Sequence, residues 1–100
     1  MANTFKVLFR GAASTSSTTL YTTPSATTTL VSSVLIVNTA TSAATYDILL
    51  DDVAIANDVS VPANDTVLIE LKQVLEAGQT IKALASATVV NFHISGLEIT

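Results

Sequence analysis

Apolar residues in this chain recur at every second position, stop at a turn signal, and start again. Phe5, Val7 and Phe9 alternate with Lys6, Leu8 and Arg10; Tyr46, Ile48 and Leu50 alternate with Asp47, Leu49 and Asp51; Val67, Ile69 and Leu71 alternate with Leu68, Glu70 and Lys72. A period of two sends successive side chains to opposite faces of a pleated strand, whereas an amphipathic helix needs a period of 3.6. The runs break at Thr23-Pro24-Ser25, Asn38 to Ser42, Asp51-Asp52, Val61 to Asp65 and Glu76-Ala77-Gly78-Gln79, all rich in residues that tolerate turn conformations. Turns spaced by about eight to twelve residues predict an all-β fold.

The expected architecture is a single-domain antiparallel β-sandwich, jelly-roll-like or Ig-like, with strands over Thr4–Arg10, Thr18–Thr22, Thr28–Asn38, Thr45–Leu50, Val53–Ser60, Thr66–Lys72, Thr80–Ser86 and Val89–Ile99. Residues 1–17 read as an N-terminal strand or arm with a flexible connection, and residues 18–100 as the sandwich domain. The one run of good helix formers, Ile69 to Ala77 before Gly78, offers a single helical turn as the alternative to strand. In the last strand Val90, Phe92 and Ile94 share a face while Leu97 and Ile99 fall on the opposite parity. A bulge at Gly96 would return Leu97 and Ile99 to the core side.

The stretch STSSTTLYTTPSATTTLVSS, Ser14 to Ser33, is mostly threonine and serine. A sugar-carrying stalk would be rich in proline and poor in large apolar residues. This stretch has one proline and carries Leu20, Tyr21, Leu30 and Val31. It therefore reads as ordered strands in which β-branched threonine forms the solvent face without spending charge. Charged residues are 12% of the chain against 49% hydrophobic, where a typical soluble domain is about 25% charged. Such a balance implies apolar surface turned toward another protein. A net charge of −4, with Lys6, Arg10, Lys72 and Lys82 scattered along the chain, lacks the basic stripe that nucleic-acid binding needs. The chain has no cysteine, which excludes a disulfide framework and thiolate metal sites. The run Val7-Leu8-Phe9 is too short for a secretory h-region, and Val34-Leu35-Ile36-Val37 is far short of a membrane helix. The expectation is a soluble protein made in the cytoplasm, with no membrane partner.

Candidate chemistry is sparse. His93 is the only histidine, alternates away from Phe92 and Ile94, and has no sequence neighbour that would make it a base or a metal ligand. Asp47, Asp51, Asp52 and Asp58 form the densest acidic group and suggest calcium. They lack the spacing, central glycine and terminal glutamate of an EF-hand, and read instead as a tight turn at Asp51-Asp52 between two strands, with acids keeping an edge soluble. Asn64-Asp65-Thr66 matches the glycosylation pattern but reads as a turn. No catalytic residue, cofactor or metal ligand is assigned.

An ordered set of short patterns gives one further lead. Leu20-Tyr21-Thr22-Thr23-Pro24, Ile36-Val37-Asn38-Thr39-Ala40, Ala44-Thr45-Tyr46-Asp47-Ile48, Val59 to Thr66, Leu75 to Ala83 and Ile94-Ser95-Gly96-Leu97-Glu98-Ile99 together resemble small all-β structural proteins of tailed bacteriophages. The resemblance implies a non-enzymatic virion protein made in the host cytoplasm, most simply a capsid decoration or cement protein stabilising the head lattice. The alternatives are a tail or neck component, or a receptor- or carbohydrate-binding tail-fibre module. Its implied partners are further copies of itself, as a closed oligomer and most plausibly a trimer, and the major capsid protein or other virion proteins. Phe5, Val7, Phe9 and Arg10 lie outside the resembling region. They form a candidate partner-contact arm able to add as a strand to a neighbour, the rival reading being an ordinary edge strand.

Overall fold

The computed structural model describes residues 2–100. Eight strands follow one another without a helix among the described residues: β1 (Asn3–Ala12), β2 (Thr18–Thr22), β3 (Thr28–Asn38), β4 (Ala44–Leu50), β5 (Val53–Val61), β6 (Thr66–Leu75), β7 (Thr80–Ala85) and β8 (Val90–Ile99). Each coincides with an expected strand to within a few residues. The helical alternative at Ile69 to Ala77 is overruled by the core. Strand β6 keeps its period of two as far as Leu71, so Val67, Ile69 and Leu71 pack against the core, and beyond a register shift against β3 at Leu71 and Lys72 it stays paired as strand and buries Leu75.

The strands form two four-stranded sheets, ordered β1-β8-β3-β6 and β2-β7-β4-β5. Strand β1 pairs with β8, β2 with β7, β3 with β6 and β4 with β5, all antiparallel. This nested pairing is one long hairpin rolled up on itself, and the further pairs β3 with β8 and β4 with β7 close the two sheets. The result is an eight-stranded jelly roll. Between the sheets lie Val31, Val34 and Ile36 of β3, Phe92 and Ile94 of β8, Tyr46 and Ile48 of β4, and Ile81 and Ala83 of β7. Tyr46 meets Phe92 edge to face, with ring centroids 6.4 Å apart and planes at 78°, a favoured aromatic geometry that ties the sheets together at their centre.

The register corrects the expected bulge at Gly96. Strand β8 is regular: Gly96 sits opposite Val31 and Lys6, and Leu97 opposite Leu30 and Phe5. The bulges lie in its two neighbours. Leu8 is the extra residue of β1 between the Val7–Ser95 and Phe9–Ile94 pairs, and Ser32 is the extra residue of β3 between Val31–Gly96 and Ser33–Ser95. Leu97 and Ile99 therefore keep the outward parity, and Glu98 takes the inward one. Gly96 is required by contact, not by a left-handed backbone, since Gly78 is the described glycine at positive φ. A Cβ at Gly96 would overlap the Leu30 carbonyl oxygen and lie 3.0 Å from Leu8 Cδ1.

Turn chemistry closes the hairpins as the sequence suggests. Asp51 and Asp52 both adopt positive φ, 51° and 62°, the two-residue turn whose twist matches the strands it joins. Asn64 (φ 52°) and Gly78 (φ 85°) occupy left-handed positions in the β5–β6 and β6–β7 turns.

Candidate interaction surface

Residues opposite one another in antiparallel strands share a face, so the register of β1-β8-β3-β6 defines what that sheet presents outward. Three consecutive rows run across it. The first is Phe5–Leu97–Leu30–Val74, the second Val7–Ser95–Ser33–Glu70 and the third Arg10–His93–Leu35–Leu68. Phe5 is 90% exposed, Val74 59%, Leu68 53% and Val7 47%. Two open grooves lie on this face, of about 740 Å³ beside Leu30 and Leu68 and about 300 Å³ beside Phe5 and Val7, and both are lined by Ser32. The β3 bulge, which leaves Ser32 and Ser33 without large side chains at the centre of the sheet, makes the depression.

The sheet's strand assignments explain why this face is apolar. Strand β3 is apolar on both sides, with Val34 and Ile36 inward and Leu35 and Val37 outward. The β2-β7-β4-β5 sheet is different: its outward side carries Asp47 and Lys82, and Lys82 Nζ pairs with Asp52 at 2.6 Å. The exposed apolar residues of β5 do not form a comparable surface. Val53 and Val59 lie opposite the inward-facing Leu50 and Tyr46, and Ile55 falls at a register shift.

The four residues proposed as an arm are split by the Leu8 bulge. Phe5, Val7 and Arg10 lie on the outward side, while Phe9 turns inward and packs against the core. The alternation that put Phe5, Val7 and Phe9 on one face, with Leu8 on the other, is thus corrected: Leu8 is 6% exposed and belongs to the core. Strand β1 pairs with β8 along its length, from Asn3–Ile99 to Ala12–Asn91.

The other sequence candidates are placed as follows. His93 sits between Arg10 and Leu35 on the outward face. Asp47 Oδ1 accepts the Asp58 backbone N–H at 2.9 Å, Asp51 accepts from Gln79 Nε2 at 3.2 Å, and Asp52 is taken by Lys82. Among the described residues no three acidic or histidine side chains converge.

Two polar groups that the sequence pattern concealed lie inside. Tyr21 of β2 donates its hydroxyl to Glu98 of β8 and also contacts Thr29 Oγ1 of β3 at 2.8 Å, while Lys6 Nζ approaches Glu98 Oε1 at 3.4 Å. Burial and the Glu98 hydrogen bond push the Tyr21 phenol up to about 12. Asn38, 1% exposed, donates Nδ2 to the carbonyls of Ser42, Val61 and Pro62 and accepts the Ala40 N–H on Oδ1.

No protein-family model matches the sequence, and neither does any curated protein. Among solved structures, the chain is similar to a crystal structure of a pentameric capsid protein isolated from metagenomic phage sequences. The identity is 19% and the TM-score 0.39, over 90% of this chain and 59% of that one. A second crystal structure of a pentameric capsid protein from metagenomic phage sequences, solved by iodide phasing, gives 20% identity and a TM-score of 0.35, over 90% of this chain and 60% of that one. The chain spans about three fifths of the length of these capsid proteins.

Proposed function

We propose that the chain is a non-enzymatic structural protein of a tailed-phage virion, a decoration or cement protein that stabilises the head lattice. The observation that carries this reading is the outward face of β1-β8-β3-β6, an apolar sheet surface with Phe5 at 90% exposure, on a fold whose recurrent uses include viral capsid domains. A rigid sandwich with one sticky face suits repeated packing, where many weak contacts add through avidity. Its partners in this reading are further copies of itself and the major capsid protein, and its place is the virion, after synthesis in the host cytoplasm. A net charge of −4 keeps it from the genome during assembly.

Jelly rolls also serve as lectins, which keeps the tail-fibre module as the second reading. Sugar binding favours a cluster of exposed aromatic rings, and Phe5 stands alone as the strongly exposed aromatic among the described residues. Co-sedimentation of the purified protein with empty capsids, against binding to whole host cells, separates the two. Retention on capsids is the expected result; binding to cells and not to capsids overturns the cement reading. As for closure, a three-fold ring needs two different patches that meet heterologously, whereas one broad face pairs with itself.

A further inference from the structure

We infer that the outward face of β1-β8-β3-β6 is a homotypic interface, on which two copies pack face to face about a two-fold axis running along the strands. The inference rests on the structural-protein reading for its purpose and adds to it the occupant of the face.

Area and charge both point to a second copy. With an exposed aromatic counted at roughly 200 Å², Phe5, Val7, Leu35, Leu68 and Val74 offer on the order of 500 Å² per copy. A pair then buries about 1,000 Å², where specific interfaces begin. The three rows are two residues apart on β8, hence about 7 Å, and the four strands span about 14 Å.

A two-fold along the strands lays β1 of one copy over β6 of the other, and β8 over β3. Phe5 then meets Val74, Leu97 meets Leu30, and His93 meets Leu35 of the second copy. Arg10 falls opposite Leu68, one row from Glu70 of the second copy and within reach of a guanidinium, so both ends of the interface are closed by an Arg–Glu pair. Lys72 falls beside Phe5 of the second copy, where an ammonium can lie on the ring while remaining at the wet rim. The competing two-fold, across the strands, lays β6 on β6 and sets Glu70 against Glu70, a like-charge contact. The small Ser32, Ser33 and Ser95 side chains at the centre let the two sheets approach to the spacing of a sandwich interior, about 10 Å.

The test is light scattering on the purified chain at tens of micromolar, with circular dichroism on every variant to confirm the strand fold. The expected mass is twice the 10.4 kDa of one chain. Arg10→Glu and Glu70→Arg should each weaken the pair at least tenfold, and the double swap should restore it. Leu68→Glu should give the monomer. A monomeric wild type overturns the inference, even if that monomer binds capsids through the same face, since the face would then belong to the lattice. A dimer indifferent to Leu68→Glu, or charge reversals that the double swap does not rescue, overturns the face or the axis. A dimer that ignores capsids leaves the interface standing and removes the cement role.

Discussion

Tyr21 and Glu98 meet across the sandwich, the phenol of one sheet donating to the carboxylate of the other although the two residues are 77 positions apart. The carboxylate is satisfied from two sides, by this hydroxyl and by Lys6, which makes an acid acceptable on an inward position. The phenol's pKa is raised to about 12 from 10, so the folded state holds this proton more tightly than the unfolded chain. Its contribution to stability is whole below pH 10 and is lost as the pH rises toward 12. Melting temperature measured against pH should therefore fall through that window. Burial raises the Tyr46 phenol in the same direction, so Tyr21→Phe should reduce the alkaline slope without removing it. At neutral pH the variant should lose about 1–2 kcal/mol.

Gly96 should be the least replaceable glycine. Its missing Cβ makes room for the Leu30 carbonyl of the bulged neighbouring strand and for the Leu8 side chain, and backbone cannot yield as a flexible side chain can. Gly96→Ala should cost about 2–4 kcal/mol through overpacking and lost register, measured by urea denaturation. Gly11 makes the comparison: its added Cβ would meet the Phe9 ring at 3.2 Å, a side-chain contact rather than the backbone overlap at Gly96, so Gly11→Ala should cost less than Gly96→Ala.

The eight strands were legible because alternation and turn chemistry are local. Asp51-Asp52 and Asn64 declare their turns within a few residues, and β2 and β3 begin and end where the pattern says. The faces were harder to read. Taking Leu97 and Ile99 as core residues forced a bulge at Gly96, when the residue that faces inward there is Glu98, whose partners Tyr21 and Lys6 lie on strands that no local pattern connects to it. Likewise strict alternation put Leu8 outside, because a one-residue bulge in β1 inverts parity and is set by the opposite strand β8. Which sheet would leave an apolar face uncovered depended on the same long-range register. The low charge fraction announced that such a face existed but not where.

Ala26 holds a strained backbone. It sits at φ 54° in the turn between β2 and β3, a left-handed conformation that costs a residue with a Cβ roughly 1 kcal/mol and glycine little. Ala26→Gly should raise stability by about 0.5 kcal/mol after the extra entropy of the unfolded glycine is subtracted. A melting temperature raised by a few degrees is the expected reading, and a lowered one would mean that the turn gains more from the alanine methyl than it loses in strain.

Asn38 is the residue whose loss should disturb the most structure outside the apolar core. Its amide joins the end of β3 to the loop at Ser42 and to the end of β5 at Val61 and Pro62, and its carbonyl oxygen holds the Ala40 N–H. Three carbonyls and one amide at a nearly dry position depend on it, and an alanine there would leave them short of partners and open a small cavity. Each unsatisfied buried group costs about 1–3 kcal/mol, though water entering the loop would recover part of this, so Asn38→Ala should destabilise by about 2–4 kcal/mol. Asn38→Asp should be at least as damaging, because a carboxylate keeps the acceptor for Ala40 but sets negative oxygens against three carbonyls. Hydrogen exchange gives the local readout: the Ala40 and Asn64 amides, which are bonded to Asn38 and to the Ala40 carbonyl, should lose protection in both variants. The β1–β8 amides should follow only as far as global stability falls. Equal loss of protection everywhere would mean that Asn38 supports the whole sandwich and not the loop at its end.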